Sequence, residues 1–314
     1  MKVMVTGGCG YKGSVLVPKL LKEGYDVRVV DNQWFGRNLP EHLRLEVLKM
    51  DTREDVPLDG VEAIIHLAAI ANDPCGELDA RLTWDVNVLA TYRLAQRAVK
   101  ARVKHFIFAS SASIYGIKGN KPVTEEDEFE PVSDYNKTKL VGEKLLWTLS
   151  GDMAMTFLRP ATVCGVSPRQ RLDVIVNLLT WQALKDGKLT VHAGKHGGKL
   201  MRPHMHIEDV TDLYLWALRE VPVGAFNAAS DNQTVGETAE IVARHVPCEI
   251  SVTEVADKRS YAVDFSKLLV WGFTPKRKVD DAVRDIVEAR HLCRLQTDPS
   301  TVNLNWMRQL GVAR

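Results

Sequence analysis

Residues 6–13, TGGCGYKG, follow the apolar stretch Lys2–Thr6 (KVMVT) and precede a helical stripe of Val15, Leu16, Leu20 and Leu21 that stops at Gly24. A strand, a glycine turn and a helix in that order constrain the fold more than any other feature of the chain. Gly8, Gly10 and Gly13 satisfy G-x-G-x-x-G, and Gly7, Gly10 and Gly13 satisfy G-x-x-G-x-x-G. Such glycines make a tight turn, let a pyrophosphate approach the backbone and pack helix closely on strand. The helix then offers its N–H groups and positive dipole end to the anion. An ATP-type P-loop needs G-x-x-x-x-G-K-[ST]; here Lys12 precedes Gly13, so that reading fails.

The first half alternates strand and helix patterns. Strands are predicted at 2–6, 26–31, 45–51, 63–69, 105–111 and 154–160, with long helices over about 77–101 and 134–150. Such alternation implies a parallel sheet covered on both faces, and apolar runs such as AIIHLAA fit burial on both sides. After residue 160 the rhythm loosens, with helical patterns near 173–186, 208–220, 234–245 and 279–291 and a final stretch of little periodicity. The expectation is an α/β protein, a Rossmann doubly wound parallel sheet in residues 1–160. A smaller α/β substrate lobe is expected in 161–314, with an element or two returning to the first sheet.

Composition excludes other classes. Lys plus Arg is 41 against 40 Asp plus Glu, with no basic excess of the kind a nucleic-acid binder carries. No stretch approaches 18 apolar residues, and the glycine turn interrupts any signal-peptide core. Five scattered cysteines without a C-x-x-C pair suit a reduced, cytoplasmic protein.

Asp31 ends the second strand, 18 residues past Gly13, where a carboxylate can accept from an adenosine ribose diol. It would repel a 2′-phosphate, which favours NAD over NADP. Alone it would read equally as a turn residue; behind the glycine turn it reads as a cofactor contact. Asp51, ending the third strand, either faces the adenine edge or merely shapes a turn. Further candidates for cofactor contact are Tyr11 and Lys12 in the glycine turn, Asn32, Thr52, Leu67, Ala68 and Ala69 at strand ends, and Pro160.

FASSASIYG (108–116) leaves the fifth strand, and YNKTK (135–139) begins the following helix. Tyr135 and Lys139, four apart, lie on one helical face. A phenol titrates near ~10 in water, too high for a base at neutral pH. A nearby ammonium, with the positive nicotinamide of NAD, would stabilise the phenolate. A strand-end serine hydroxyl could hold the substrate oxygen in line. The set is equipped to take a proton from an alcohol while NAD takes the hydride. A regulatory NAD sensor without turnover would predict loss of Tyr135, Lys139 or Ser111, and all three are present.

Together, TGGCGYKG, Asp31, HLAA, FASSASIYG, YNKTK, LRPATVCG and RPHMHIEDV resemble the extended short-chain dehydrogenase/reductases over residues 1 to about 290. Within these the chain is similar to the NAD-dependent epimerase/dehydratase group acting on nucleotide sugars. The resemblance implies oxidation at sugar C4 to a 4-keto intermediate. It also implies Tyr135 as base, Lys139 as the group that lowers its pKa and binds the nicotinamide ribose, and Ser111 as the catalytic hydroxyl. Asn87 in DVNVLAT matches an asparagine bracing the cofactor region, or is a polar residue of the helix surface. Arg202 matches an arginine that clamps the nucleotide diphosphate, a geometry its fork suits.

Departures narrow the activity. The group's 4,6-dehydratases carry Thr-Asp-Glu where this chain has Ser111-Ala112-Ser113, so water loss is disfavoured. A 4-epimerase fits best; the alternative is a 4-dehydrogenase releasing a ketosugar. VSPRQRLDVIVN (166–177) looks like the branch found with capsule and lipopolysaccharide sugar genes, including heptose-modifying enzymes. Ser113, Thr162, Asn177 and Arg259 are candidate substrate contacts. So is Asn72 beside Asp73, a pair that a loop cap would explain equally well.

His192, His196, His204 and His206 are close in sequence but form no H-E-x-x-H helix, and no metal is expected. Cys9 and Cys164 read as small buried hydrophobes. Apolar Trp84, Val88 and Tyr92 on one long helix and Leu140, Val141 and Trp147 on the other suggest a homodimer through these two helices. Ordinary packing on the sheet would use the same residues.

Overall fold

The structure, a computed structural model, describes residues 1–119, 121–193, 200–254 and 260–312. Seven strands build the central sheet: β1 (Lys2–Thr6), β2 (Asp26–Asp31), β3 (Leu45–Lys49), β4 (Val61–His66), β5 (His105–Ala109), β6 (Ala154–Pro160) and β7 (Gly224–Ala228). Their spatial order is β7-β6-β5-β4-β1-β2-β3, and every neighbouring pair is parallel. The chain leaves β1 in one direction through β2 and β3, then returns to place β4 on its other side. That reversal opens a crevice at the carboxyl ends of β1 and β4, where open α/β sheets bind ligands. The fold is thus the expected doubly wound α/β type. Its seventh strand comes from the second half of the chain.

Burial explains the strand composition. All five residues of β5 are buried, as a central strand covered on both faces requires. On one face Val3, Val5, Val27 and Val29 pack against α1 (Gly13–Lys22) and, from the second half, a helix at Ile207–Glu220. Val17 rather than Val15 joins Leu16, Leu20 and Leu21 in the buried stripe of α1. On the other face Met4, Ile64, Phe106 and Phe108 meet two long helices. The first, α2, runs through Ala80–Trp84, a π-helical turn at Asp85–Ala90 and Thr91–Lys100. The second, α3, spans Asp134–Trp147.

The π turn inserts a residue into the helical repeat. It carries Asn87 and Val88 inward and leaves Leu89 exposed. Val88 is therefore core, and the exposed apolar residues of these two helices are Leu89 and Trp147.

The rest of the second half forms small sheets and a separate apolar cluster. A three-stranded mixed sheet joins Thr162–Cys164, Met201–His206 and Asp231–Thr234. A parallel pair joins Lys188–Ala193 to Glu249–Glu254. Around them pack α4 (Ile175–Asp186), a helix at Val235–His245 and one at Val279–His291 through Val176, Leu179, Val242 and Val283. The weakly periodic end of the chain contains a short helix at Asn303–Gln309.

One buried polar network fixes α3 to the sheet. Arg159 on β6 donates from Nε and Nη2 to the Glu143 carboxylate of α3, Nη2 at 2.7 Å, and both side chains are almost fully buried. Its Nη1 donates to the Tyr115 hydroxyl at 2.8 Å, which donates onward to Asn227 Oδ1 of β7. Removing one partner of such a pair strands a buried charge. Glu143→Gln is expected to lower unfolding free energy by about 3–5 kcal/mol, seen as a lower urea midpoint at unchanged slope.

Candidate active site

The glycine turn is built by backbone contact. Gly7 has φ +69, and a Cβ there would lie 2.6 Å from the Ala68 amide nitrogen. A Cβ on Gly13 would lie 2.4 Å from the Gly8 carbonyl oxygen. Only glycine permits the β1 turn, the loop after β4 and the start of α1 to meet. α1 begins at Gly13, with the Ser14 and Leu16 amides donating to the Gly10 and Lys12 carbonyls, and Gly10, Tyr11, Lys12 and Gly13 line the crevice at its positive end.

A cleft of about 560 Å³ opens there. Its floor includes Gly7, Gly10, Tyr11, Lys12 and Gly13, with Asp31, Asn32, Asp51 and Thr52 from the ends of β2 and β3. Leu67, Ala68, Ala69 and Asn72 enter after β4, and Ser111, Ser113, Tyr135, Pro160, Thr162 and Arg202 line the remainder. Asp31 accepts from the Cys9 amide at 3.0 Å and the Gln33 amide at 2.7 Å, and burial raises its pKa. Each of its oxygens keeps a lone pair for a further donor. Asp51 is gripped by Arg53, whose Nε and Nη2 donate to its two oxygens at 3.0 and 2.9 Å.

Three sequence candidates lie behind the cleft wall. Asn87 is buried, accepts from the Ile70 amide at 2.8 Å, and donates to the Ile70 carbonyl and to Thr138 on α3. It ties the loop after β4 to the tyrosine helix. Asn177 is fully buried. Its Oδ1 accepts from the Gly165 amide at 2.9 Å, and its Nδ2 donates to the Tyr11 hydroxyl and the Arg171 carbonyl. With its amide engaged this way, it supports the wall instead of facing a ligand. Lys139 is buried under the tyrosine, and its Nζ donates to the Ala109 carbonyl at 2.8 Å. Arg259 and His196 lie outside the described residues.

Tyr135 and Ser111 do converge. Both line the cleft, where the Ser111 hydroxyl favours the ionised phenol; that hydroxyl lies 2.8 Å from the Ser113 hydroxyl, which donates to Asn136 Oδ1 at 2.6 Å. Lys139 Nζ sits 5.9 Å from the tyrosine ring centre. In the chain without cofactor, burial first, then the Asp73 charge, pushes Tyr135 up to about 12, with Ser111 acting the other way. Burial and the nearby Lys12 charge bring Lys139 down to about 7. In the chain alone, desolvation is the largest cause of both shifts.

The sequence reading missed other cleft residues. Arg169, Arg171 and Asp173 line it, with Arg171 Nε donating to Asp173 Oδ1 at 2.8 Å. They lie in the VSPRQRLD run, which was singled out for its departure from pattern while its charges were passed over. Asn303 and Met307 reach the cleft from the last helix, and Trp306 Nε1 donates to the Trp34 carbonyl at 2.7 Å. Asn136, next to Tyr135, was legible only as part of its motif. The histidines do not converge: His204 is buried and held neutral, whereas His206 accepts from the Glu208 amide at the start of the Ile207–Glu220 helix. Among the described residues no three His, Cys, Asp or Glu side chains could hold a metal ion, and no helix is long and apolar enough to cross a membrane.

The family model described as "NAD dependent epimerase/dehydratase family" matches residues 3–229, and the chain belongs to that family. The UDP-glucose 4-epimerase of Lactobacillus helveticus is 28% identical over 313 residues, covering 90% of this chain and 95% of the relative. The structure of MoeE5 in complex with UDP-glucuronic acid and NAD is similar with a TM-score of 0.81 at 26% identity, covering 93% of this chain and all of that one. UDP-glucose 4-epimerase from Thermotoga maritima with UDP-glucose gives 0.82 at 25% identity, covering 93% and 99%. The cofactor is NAD, as the family is NAD-dependent. The residues fit it: a glycine turn whose Gly7, Gly10 and Gly13 backbone lines the cleft, the start of α1 beside it, and the Asp31 carboxylate.

The lysine yields a pH test on cofactor-free protein. Its folded pKa lies below its unfolded value, so the unfolded chain binds more protons between about 7 and about 10. The burial penalty is full below pH 7 and fades as pH rises through that window. Relative to Lys139→Met, the parent should therefore gain stability from pH 6 to pH 10, measured by thermal melts of both proteins across that range.

Proposed function

We propose that the chain is an NAD-dependent nucleotide-sugar 4-epimerase. The observation that carries this reading is a single cleft shared by the glycine turn, the Asp31 carboxylate and the Tyr135–Ser111 pair. Gly7, Gly10, Tyr11, Lys12 and Gly13 would hold the cofactor's phosphates, Asp31 and Asn32 its adenosine ribose, and Asp51 and Thr52 its adenine edge. Bound NAD supplies a hydride acceptor, a hydride donor on return, and a positive ring.

The chain's own residues manage the proton. Tyr135 Oη accepts it from the sugar C4 hydroxyl, and Ser111 Oγ donates a hydrogen bond to the same sugar oxygen. Lys139, anchored on Ala109 O, keeps positive potential beneath the phenol. The 4-keto sugar turns within the cleft, and the same tyrosine returns the proton to the oxygen at the inverted centre. Arg202 would pair with the nucleotide diphosphate, and Asn72, Ser113 and Thr162 would face the sugar. Ser111-Ala112-Ser113 supplies no carboxylate for removing water, which weighs against 4,6-dehydration.

The reading carries residues 1–160 as cofactor domain and 161–314 as sugar lobe. It also carries a homodimer across the helix pair that exposes Leu89 and Trp147, and a cytoplasmic location. A UDP-sugar is the first substrate to test, because the similar proteins above are named for UDP-glucose or bind UDP-sugars.

Proton NMR of UDP-, GDP- and dTDP-sugars incubated with protein and NAD should show one C4 epimer appearing without free NADH. Tyr135→Phe should lower that rate by about 10²- to 10⁴-fold while NAD affinity stays within a few-fold. Stoichiometric NADH absorbance with a released ketosugar would instead identify a 4-dehydrogenase. A broad panel without any change would leave the NAD-sensor reading.

A further inference from the structure

Arg169 is a buried charge outside the Tyr135–Ser111 set. Its side chain lines the cleft yet is 2% exposed, and its Nε has no hydrogen-bond partner. Nη2 donates to Asn303 Oδ1 at 2.6 Å and to the Ser300 carbonyl at 3.4 Å, and Nη1 to the Gln170 carbonyl at 3.4 Å. The guanidinium lies over the Phe35 ring, 3.9 Å from its centre. Among the described residues no carboxylate forms an ion pair with it. By contrast, Arg159 has Glu143 and Arg171 has Asp173. A buried cation with neutral partners only is held at a cost that an incoming anion would offset.

The position of Arg169 indicates which anion. Its amide donates to Ser14 Oγ at 3.3 Å, Ser14 Oγ lies 2.9 Å from Ser167 Oγ, and Ser167 Oγ donates to the Tyr11 carbonyl at 2.8 Å. Three successive contacts thus stitch the 167–169 segment onto the glycine turn and the first turn of α1. Phe35, the ring under the guanidinium, lies four residues past Asp31 in the loop after β2, and both line the cleft. A planar fork beside a helix N-terminus suits a diphosphate.

We propose that Arg169 is the counter-charge for the cofactor's pyrophosphate, reaching over the glycine turn from the second half of the chain. Asn303 and Phe35 orient the guanidinium for that contact. The last helix is thereby part of the cofactor site: its Asn303 amide also donates to Asp173 at 3.1 Å, and Trp306 is bonded to Trp34. The proposal rests on the family's NAD and not on the epimerase reading, since it is tested by binding without turnover.

Calorimetry on the full chain stripped of nucleotide decides it, with NAD, ADP, adenosine and, at saturating NAD, UDP-glucose as probes. Arg169→Gln should weaken NAD and ADP by about tenfold or more. Adenosine, which lacks phosphates, should bind unchanged and so reports a folded site. The parent's NAD affinity should also fall more steeply with salt than the variant's. Unchanged NAD and ADP affinities would overturn the proposal. So would a loss confined to UDP-glucose, which would assign the arginine to the substrate diphosphate. Should Arg169→Gln fail to hold adenosine, Asn303→Ala takes its place. Weaker ADP with unchanged adenosine supports the proposal there, and unchanged ADP rejects it.

Discussion

Everything in the cleft depends on backbone meeting backbone at the glycine turn. With a Cβ at Gly7 or Gly13, Ala68 and Gly8 would have to withdraw, by more than packed main chain can yield. Their contact closes β1, the loop after β4 and the start of α1 around one point at the sheet's switch in direction. The same contact sets the separation between that point and Asp31, whose carboxylate is held by the Cys9 amide within the turn itself. Cofactor geometry is therefore a property of main chain before any side chain is considered.

A second level of order comes from buried polar groups that hold α3, the helix that carries Tyr135 and Lys139. Arg159 and Glu143 fasten α3 to β6, and Tyr115 and Asn227 extend the link to β7. Asn87 bonds the loop after β4 to Thr138, one turn from Tyr135. These residues lie behind the cleft lining and set where the tyrosine and lysine stand relative to the turn. The inward rotation of Asn87 by the π-helical turn belongs to this scaffold. So does the burial that drives Tyr135 and Lys139 away from their aqueous pKa values in opposite directions.

Much of the fold and part of the site were legible in the residues. β1, β2 and β6 keep the predicted bounds, because their apolar runs end at a turn residue or a proline. β4 and β5 end earlier than predicted, at His66 and Ala109, where the chain turns to line the cleft. The glycine turn, Asp31, Ser111 and Tyr135 were legible because each belongs to a local pattern with one physical purpose. Arg169, Arg171, Asp173 and Asn303 were not. They are brought to the cleft by segments without strong periodicity, and nothing local tells a buried arginine from a surface one. Asn177 shows the converse: an asparagine in a suggestive segment has its amide fully engaged in closing a wall.

The sequence alone determined the doubly wound sheet and the glycine turn between its first strand and helix, since each follows from short-range periodicity and spacing. Tertiary structure decided that the second half returns as β7, that the Glu143–Arg159 pair is buried, and that Arg169 is buried at the cleft without a carboxylate ion-pair partner among the described residues. It also decided that the last helix helps to line the cleft. The physical reason is that such contacts join separate elements of the chain, Asn303 with Arg169 and Ser167 with Tyr11 lying more than a hundred positions apart. Their strength depends on desolvation, which exists only once the chain has closed around them.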